Sequence, residues 1–263
     1  LSRCLRKLPN RNKKEGLSYF DLENMRIEDL NFTKLGVRHL IISAASNVNI
    51  DDSRRNWERA HKLNVIKTKD IINRCFENRV VPIYISTDNV FDGKSGQYKE
   101  TDQRNPLNCY GRIRYEVENY LLNSGEPFAI LRMGKVFAMA DDNTLITEML
   151  KLLRMGQVLH CSDDQIFSPL YIGELADFIK VIIKKELNGV FHLVSIRRTS
   201  RYEIARALQD YFHLKDTRIV PCKINSLGLL EERPLLIDLD DSRYRNINRC
   251  SYKDILYYLN FLN

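Results

Sequence analysis

Short apolar runs alternate with amphipathic stretches along the first half of the chain. The apolar runs lie at residues 38–45, 80–86 and 128–132 and are typical of buried strands. Residues 52–78 carry apolar side chains at near-helical spacing, which predicts a helix, and residues 109–123 predict another. Continuous apolar strands separated by helices indicate a parallel sheet covered on both faces. The pattern therefore predicts an α/β fold with a doubly wound, Rossmann-type parallel sheet.

The second half of the chain changes character and predicts a smaller lobe that interleaves with the first. Helices and short strands alternate there, with helices predicted at 143–155, 173–186, 201–213 and 251–260 and strands near 157–160 and 190–194. No internal repeat or low-complexity tract divides the chain. We therefore expect a single compact unit.

The chain has 263 residues and a formal charge of +7, from 41 basic and 34 acidic side chains. A mixed, solvated surface accounts for this excess, and the sharper alternative is attraction to an anionic, pyrophosphate-bearing ligand. Nucleic acid is not expected, because the basic residues are scattered and no binding motif accompanies them. The sequence shows no apolar run of membrane-spanning length and no leader. These features predict a soluble, cytoplasmic protein without a membrane partner.

The six cysteines are widely spaced, with no C-x-x-C pair and no Cys/His cluster: Cys4, Cys75, Cys109, Cys161, Cys222 and Cys250. This spacing argues against a zinc site and against a secreted disulfide framework. We expect reduced thiols and assign no metal.

Candidate chemistry begins with Tyr110 and Arg114 in the second predicted helix. Residues four apart lie on one helix face, and a neighbouring cation favours the phenolate. Such a tyrosine can donate a proton to a carbonyl oxygen as a hydride arrives at the carbon. The alternative is a helix with an exposed arginine and a half-buried aromatic ring.

A second candidate segment follows the strand at 80–86. Ser86 and Thr87 place hydroxyl groups at the carboxyl end of this strand, where parallel sheets bind ligands. These hydroxyls could bond a substrate oxygen. Alternatively, Ser86, Thr87 and Asp88 only cap the strand and begin a turn.

Together these segments resemble the dTDP-4-dehydrorhamnose reductase family, extended short-chain dehydrogenase/reductases that reduce a keto group on a nucleotide sugar. The resemblance runs in the family's order from about residue 1 to residue 245. It is carried by short motifs: S-T-D-x-V-F-D-G at 86–93, Y-K-E at 98–100, N-P-L-N at 105–108, Y-G-R at 110–112, L-R at 131–132, V-F at 136–137, D-Q at 164–165, S-P at 168–169, G-V-F-H-L at 189–193 and R-P at 233–234.

The resemblance implies a role for each matched position. Thr87 orients the substrate carbonyl, Tyr110 donates the proton, and Arg114 replaces the family's lysine, which holds the nicotinamide ribose. The implied cofactor-binding residues are Ala44, Ala45, Asn64, Ser86, Tyr110 and Arg114. The implied substrate-binding residues are Ser46, Asn89, Lys135 and Arg233.

The resemblance also implies an activity and a division of the chain. The activity is reduction of a 4-keto-6-deoxy nucleotide sugar with NADPH or NADH, in dTDP-rhamnose or related deoxysugar biosynthesis. Residues 1–140 would form the NAD(P)-binding Rossmann-like domain, and residues 141–263 the interleaved substrate-binding lobe. The family includes monomers and dimers, so a homodimer stays open.

The chain departs from the family at the cofactor loop. No G-x-x-G-x-x-G, whose amides approach a pyrophosphate after the first strand, occurs in the sequence. The spacing to Ser43 suggests that the first strand and this loop are absent as a block. Because Leu1 is not a methionine, we expect a mature or truncated chain with the block upstream. Asp21 is the candidate for the acidic residue that holds the adenosine ribose.

The substrate side departs as well. Asn89 stands where the family often has a tyrosine, and Lys135 lies near the family's tryptophan position. Losing two aromatic side chains changes the sugar or base contacts. The identity of the keto sugar therefore does not carry over.

Two alternatives to an enzyme stay open. The same fold serves a non-catalytic regulatory subunit of methionine adenosyltransferase, and a chain without the glycine loop and the lysine fits such a role. Retention of Thr87 and Tyr110 argues against it. The other alternative is an inactive gene fragment, since loss of a central strand would expose the edges of its neighbours.

We expect Arg114→Lys to raise turnover, because a guanidinium is wider than an ammonium and reaches ribose hydroxyls in a different geometry. Steady-state kinetics of both proteins with one keto-sugar substrate test this. If turnover does not rise, position 114 is not an impaired catalytic position.

Overall fold

The computed structural model describes residues 32, 38–43, 50–138, 145–196, 198–214, 216–249 and 253–260. Its strands are β1 His39–Ile42, β2 Val81–Ile85, β3 Ala129–Met133, β4 Val136–Phe137, β5 Leu159–Ser162, β6 Leu170–Tyr171, β7 Gly189–Leu193 and β8 Ile219–Cys222. Its α-helices are α1 Ile50–Arg55, α2 Trp57–His61, α3 Lys67–Glu77, α4 Cys109–Leu122, α5 Leu145–Arg154, α6 Ile172–Lys184, α7 Arg201–Tyr211, α8 Ser242–Asn248 and α9 Ile255–Leu259.

Four parallel strands form the central sheet in the order β1-β2-β3-β7. Neighbouring residues of β2 face opposite sides of this sheet, as the period of a strand requires. Tyr84 packs in a core with Ile113 and Val117 of α4, whereas Ile83 packs in a core with Phe178 of α6. Helices thus cover both faces, which confirms the predicted α/β fold with a parallel sheet.

The second half of the chain adds two small parallel pairs, β4 with β6 and β5 with β8. A third core lies there, built from side chains of α5, α7 and α9 such as Leu153, Leu208 and Tyr258. Strand β7 comes from this half yet pairs with β3 in the central sheet. The proposed boundary between residues 140 and 141 stays a prediction.

The long helix predicted at 52–78 is interrupted. A π-helical segment, Lys62–Ile66, separates α2 from α3, and its Leu63, Asn64 and Val65 are buried. A π-turn inserts an extra residue into the helical ladder, and hydrophobic periodicity does not reveal it. Within the described ranges, no helix combines the length and apolar character that crossing a bilayer demands.

The described cysteines are all free thiols, namely Cys75, Cys109, Cys161 and Cys222. Cys4 and Cys250 lie outside the described residues. No group of three or more His, Cys, Asp or Glu side chains in the described part of the chain could hold a metal ion.

A buried ion-pair network joins α4 to the sheet. Glu118 is fully buried and accepts hydrogen bonds from Arg132 of β3, with Nη2 to Oε2 at 2.8 Å and Nε to Oε1 at 3.0 Å. Arg104 adds a contact from Nη1 to Oε2 at 2.9 Å. Two cations therefore compensate one buried carboxylate, which burial would otherwise make costly.

We expect Glu118→Gln to lower the free energy of unfolding by about 3–5 kcal/mol, because it leaves the buried guanidinium of Arg132 without a counter-charge. Chemical denaturation of both proteins measures this. The matched control is Asp177→Asn, which breaks an exposed pair with Lys180 and should cost less than about 1 kcal/mol. Equal losses in the two variants would contradict a structural role for the network.

Candidate active site

The candidate site lies at the carboxyl ends of β2 and β3. Ser86 and Thr87 follow β2, and Gly134 and Lys135 follow β3. Because parallel strands end at the same edge of a sheet, these residues meet where open α/β sheets bind ligands. The segment after β2 therefore lies at the predicted edge, and its contact with a ligand stays a prediction.

A buried 3-10 turn at Asp88–Val90 fills this edge. Thr87 caps the turn, since its Oγ1 accepts a hydrogen bond from the backbone N–H of Asn89 at 3.2 Å. The same Oγ1 donates to Asp88 Oδ1 at 3.0 Å, and Oδ1 also accepts from Asn89 Nδ2 at 2.8 Å. The predicted site residues Thr87 and Asn89 are thus brought together around the carboxyl group of Asp88.

The start of α4 is tied to this turn. Asn108 caps the helix, with its Oδ1 accepting from the Gly111 N–H at 2.9 Å, and its Nδ2 donates to Asn89 Oδ1 at 3.2 Å. A side chain at position 111 would collide with the carbonyl oxygen of Asn89, so a glycine is needed for this approach. The first helical turn, which carries Tyr110, therefore lies against the turn that follows Thr87.

Tyr110 and Arg114 meet on one face of α4, as their spacing predicts. The guanidinium carbon of Arg114 lies 5.3 Å from the ring centroid of the half-buried Tyr110. Arg114 is only 3% exposed, which excludes the alternative of a solvent-exposed arginine. Its Nη1 donates to the hydroxyl of Tyr84 on β2 at 3.1 Å.

The Arg114 guanidinium remains charged in this setting. Burial acts to lower its pKa, but charge interactions with Tyr84 and Tyr110 outweigh burial, so the pKa is raised. Its Nε is buried and has no hydrogen-bond partner among the described residues. A cation is therefore held beside Tyr110 with one donor still unused.

Two residues predicted to bind the cofactor make internal contacts. Ser86 Oγ donates to Glu118 Oε1 at 2.5 Å, and the buried Asn64 Nδ2 donates to the carbonyl oxygen of Ala60 at 2.9 Å. Both side chains support helices around the site, and their contact with a cofactor stays a prediction. Ala44, Ala45, Ser46 and Asp21 lie outside the described residues.

Lys135, Arg201 and Arg233 form a cationic cluster beside the Asp88 turn. The side chain of Lys135 is exposed at the surface, but protein atoms surround its ammonium group on most sides. The resulting partial loss of water lowers the pKa of the ammonium to about 8. The charge of Arg201 lowers the pKa further, Asp88 opposes the change, and Arg233 adds to the lowering. Neighbouring cations that lower one another's pKa at the open edge of a sheet favour an anionic ligand.

The members of this cationic cluster differ in how they are paired. Arg233 Nη2 contacts Asp51 Oδ1 at 2.7 Å, so its charge is compensated. Lys135 and Arg201 make no ion pair or side-chain hydrogen bond with any other described residue, and Arg201 Nε is buried without a partner. Burial lowers the pKa of Arg201. Within the described part of the chain, Lys135 and Arg201 are thus the members of the cluster without an ion pair.

Three residues around this site were not predicted from the sequence as site residues: Tyr84, Asp88 and Arg201. Asp88 belongs to the S-T-D-x-V-F-D-G motif at 86–93, and its position next to Thr87 could have marked it as a site residue. Arg201 begins α7, and Tyr84 faces α4 from β2. No local pattern marks either residue, because their neighbours at the site are far away in sequence.

These features define a class: Rossmann-type α/β proteins, here with a candidate site at the carboxyl edge of the parallel sheet. The sequence profile of the RmlD substrate binding domain matches residues 11–255, and the chain belongs to this family. The resemblance to dTDP-4-dehydrorhamnose reductases is thereby confirmed.

Relatives of two kinds are similar in sequence. The dTDP-4-dehydrorhamnose reductase of Aggregatibacter actinomycetemcomitans is 32% identical over 179 residues, which cover 65% of this chain and 60% of that protein. The methionine adenosyltransferase 2 subunit beta of Danio rerio is 29% identical over 216 residues, covering 78% of this chain and 65% of that protein. The chain therefore spans less than two thirds of the length of these curated relatives.

Solved structures share the fold. A hypothetical dTDP-4-dehydrorhamnose reductase from Sulfolobus tokodaii has a TM-score of 0.81 at 27% identity, covering 97% of this chain and 93% of that one. The dTDP-4-dehydrorhamnose reductase from Bacillus anthracis, solved in complex with NADP, has a TM-score of 0.82 at 22% identity, covering 95% and 89% of the two chains. The second likeness shows the fold alone.

We expect Arg201→Gln to weaken the binding of inorganic pyrophosphate by about 10- to 150-fold, because it removes one charge-assisted contact worth roughly 1.5–3 kcal/mol. Titration followed by NMR chemical shifts measures the affinity. The control is Lys223→Gln, which removes one positive charge from an exposed pair with Asp163. A loss of the same size in both variants would show that only net charge matters.

Proposed function

We propose that this chain reduces the keto group of a 4-keto-6-deoxy nucleotide sugar with NADPH or NADH, as a dTDP-4-dehydrorhamnose reductase-like enzyme of deoxysugar biosynthesis. The half-buried Tyr110 beside the buried cation of Arg114 carries the proposal. The helix that holds both is tied to the turn after Thr87. The reductase relative at 32% identity supports the same activity.

The described residues fit a nicotinamide cofactor on one side. Arg114 keeps an unused buried donor next to Tyr110, which suits hydroxyl groups of a ribose, and the carboxyl ends of β1 and β2 are open-sheet positions for a dinucleotide. A bound nicotinamide supplies the two reducing electrons. The residues that would hold it are Tyr110 and Arg114, with Ala44, Ala45, Asn64 and Ser86 as predicted neighbours.

In this proposal the chain's own residues position the substrate and supply the proton. Thr87 orients the carbonyl group, and Tyr110 donates a proton to the carbonyl oxygen. Arg114 keeps a positive charge near the phenolate that remains and so stabilises it. Tyr84 is the hydrogen-bond partner that holds Arg114 there.

The cationic cluster accounts for recognition of the rest of the substrate. Lys135 and Arg201, which form no ion pair within the described part of the chain, would face a diphosphate, and a guanidinium suits bidentate bonds to phosphate oxygens. Arg233 and Asn89 border the same edge. We assign the nucleotide sugar as the ligand and expect a cytoplasmic protein without nucleic-acid or membrane partners. The homodimer stays a prediction.

The first experiment is a titration of NADPH and NADH into the chain by calorimetry, followed by a turnover assay with a dTDP-4-keto-6-deoxy sugar. We expect saturable binding and turnover, and we expect Tyr110→Phe to lower kcat by about a hundredfold or more, because it removes the proton donor. Tyr120→Phe is the matched control on the outer face of α4, where Tyr120 bonds Asn73. Retained turnover in Tyr110→Phe would overturn the assigned role.

A regulatory role is the second candidate, favoured by the 29% identity to methionine adenosyltransferase 2 subunit beta. In that case the chain would bind a catalytic methionine adenosyltransferase subunit and show no turnover of keto sugars. Size-exclusion chromatography of the two proteins together distinguishes the roles. Co-elution without turnover supports the regulatory role, and turnover without co-elution supports the reductase.

A further inference from the structure

Asp88 is a buried carboxyl group at the candidate site for which the proposed reaction has no use. It is only 3% exposed. Its Oδ1 accepts from Thr87 Oγ1 and from Asn89 Nδ2, and its Oδ2 faces the backbone of Gly134. A side chain at position 134 would lie 3.0 Å from Oδ2, so the end of β3 closes over this carboxyl group.

The hydrogen bonds of Thr87 conflict with its proposed role. A hydroxyl group has one proton to donate, and Thr87 gives it to Asp88 at 3.0 Å. The lone pairs of Thr87 accept from Asn89, through its backbone N–H at 3.2 Å and its Nδ2 at 3.4 Å. While Asp88 is a carboxylate, Thr87 therefore has no proton for a substrate carbonyl.

We infer that Asp88 is a positioning residue whose protonation decides whether Thr87 gives its hydroxyl proton to the substrate carbonyl. The inference rests on the proposed function. When Asp88 carries a proton on Oδ1, the carboxyl group donates that proton to Thr87 Oγ1 in place of the 3.4 Å contact from Asn89 Nδ2, and the Thr87 hydroxyl turns its own proton toward the ligand. No covalent bond is made or broken, and the proton stays on Asp88.

The surroundings of Asp88 make both protonation states accessible near neutral pH. Burial raises the pKa of Asp88 to about 6, against the lowering effects of Thr87, Asn89 and the ammonium of Lys135. Lys135 approaches from the end of β3 and is itself faced by Arg201, Arg233 and Glu148. Asp88 is therefore protonated below about pH 6 and ionised above it.

Lys135 links this equilibrium to ligand binding. Its positive charge favours the ionised form of Asp88. A diphosphate bound at Lys135 and Arg201 would neutralise that charge, and the carboxyl group would then hold its proton more tightly. Binding of an anionic substrate thus frees the Thr87 hydroxyl to donate its proton to the carbonyl group of the bound substrate.

The first test needs no ligand and no activity. The carboxyl 13C signal of Asp88, assigned by its loss in Asp88→Asn, is titrated in the ligand-free protein. We expect a midpoint near 6, and a higher midpoint in Lys135→Gln and in Thr87→Val, because each variant removes a group that favours the carboxylate. Lys223→Gln, at an exposed pair away from the site, should leave the midpoint unchanged.

A midpoint near the ordinary value of 3.8, or one that moves equally in Lys135→Gln and Lys223→Gln, would overturn the inference. Lys135 is exposed, so its variant should fold even if Thr87→Val does not. The titration of Asp88 does not depend on the proposed function. The proposed function fails separately if the wild-type chain shows no turnover.

The second test is the pH dependence of kcat/KM with a keto-sugar substrate. We expect wild-type kcat/KM to rise as the pH falls through about 6, and Asp88→Asn to lose this dependence, since its amide can donate to Thr87 at any pH. At pH 7 the variant should exceed the wild type by up to about tenfold, the inverse of the protonated fraction one unit above the pKa. The control is Asp163→Asn, and an Asp88→Asn profile identical to the wild type would overturn the inference.

Discussion

The burial of a carboxylate, Glu118, on the inner face of α4 constrains the whole site. A buried carboxylate is costly unless cations accompany it, and Arg132 of β3 and Arg104 supply them. These bonds fix the rotation and the height of α4 against the central sheet. Tyr110 and Arg114 precede Glu118 by two turns and one turn on the same face, so the network also determines where they point.

The arginine at position 114 is accommodated by partners that a lysine would not need. A guanidinium carries five donors in a plane, whereas an ammonium is a compact point charge. The hydroxyl of Tyr84 accepts a hydrogen bond from one of those donors. The ring centroids of Tyr84 and Tyr110 lie 5.8 Å and 5.3 Å from the guanidinium carbon. The departure from the family's lysine therefore comes with a dedicated set of contacts rather than a bare loss.

Charge is distributed unevenly across the edge of the sheet. Arg132, Arg104 and Arg233 are compensated by carboxylates within the described part of the chain, whereas Lys135 and Arg201 are not. Asp88 lies beside them, and its carboxyl group changes its protonation state near pH 6. An anionic ligand would supply the missing counter-charge and would change the protonation of Asp88, and in our proposal this change ties recognition of the ligand to the orientation of Thr87.

The amino-acid sequence determined the features that depend on neighbours along the chain. Apolar runs and helical spacing predicted the four strands of the central sheet and α4 to within a few residues, and the four-residue spacing placed Arg114 beside Tyr110. The strands β4 and β6 escaped, because two residues are too few to show a period, and β8 escaped because Pro221 interrupts its apolar run. The tertiary structure alone decided that Tyr84 holds Arg114, that Glu118 meets Arg132, and that Arg201 lies near Lys135. Those contacts join residues from different elements, and packing of the helices on the sheet, which no local pattern encodes, brings them together.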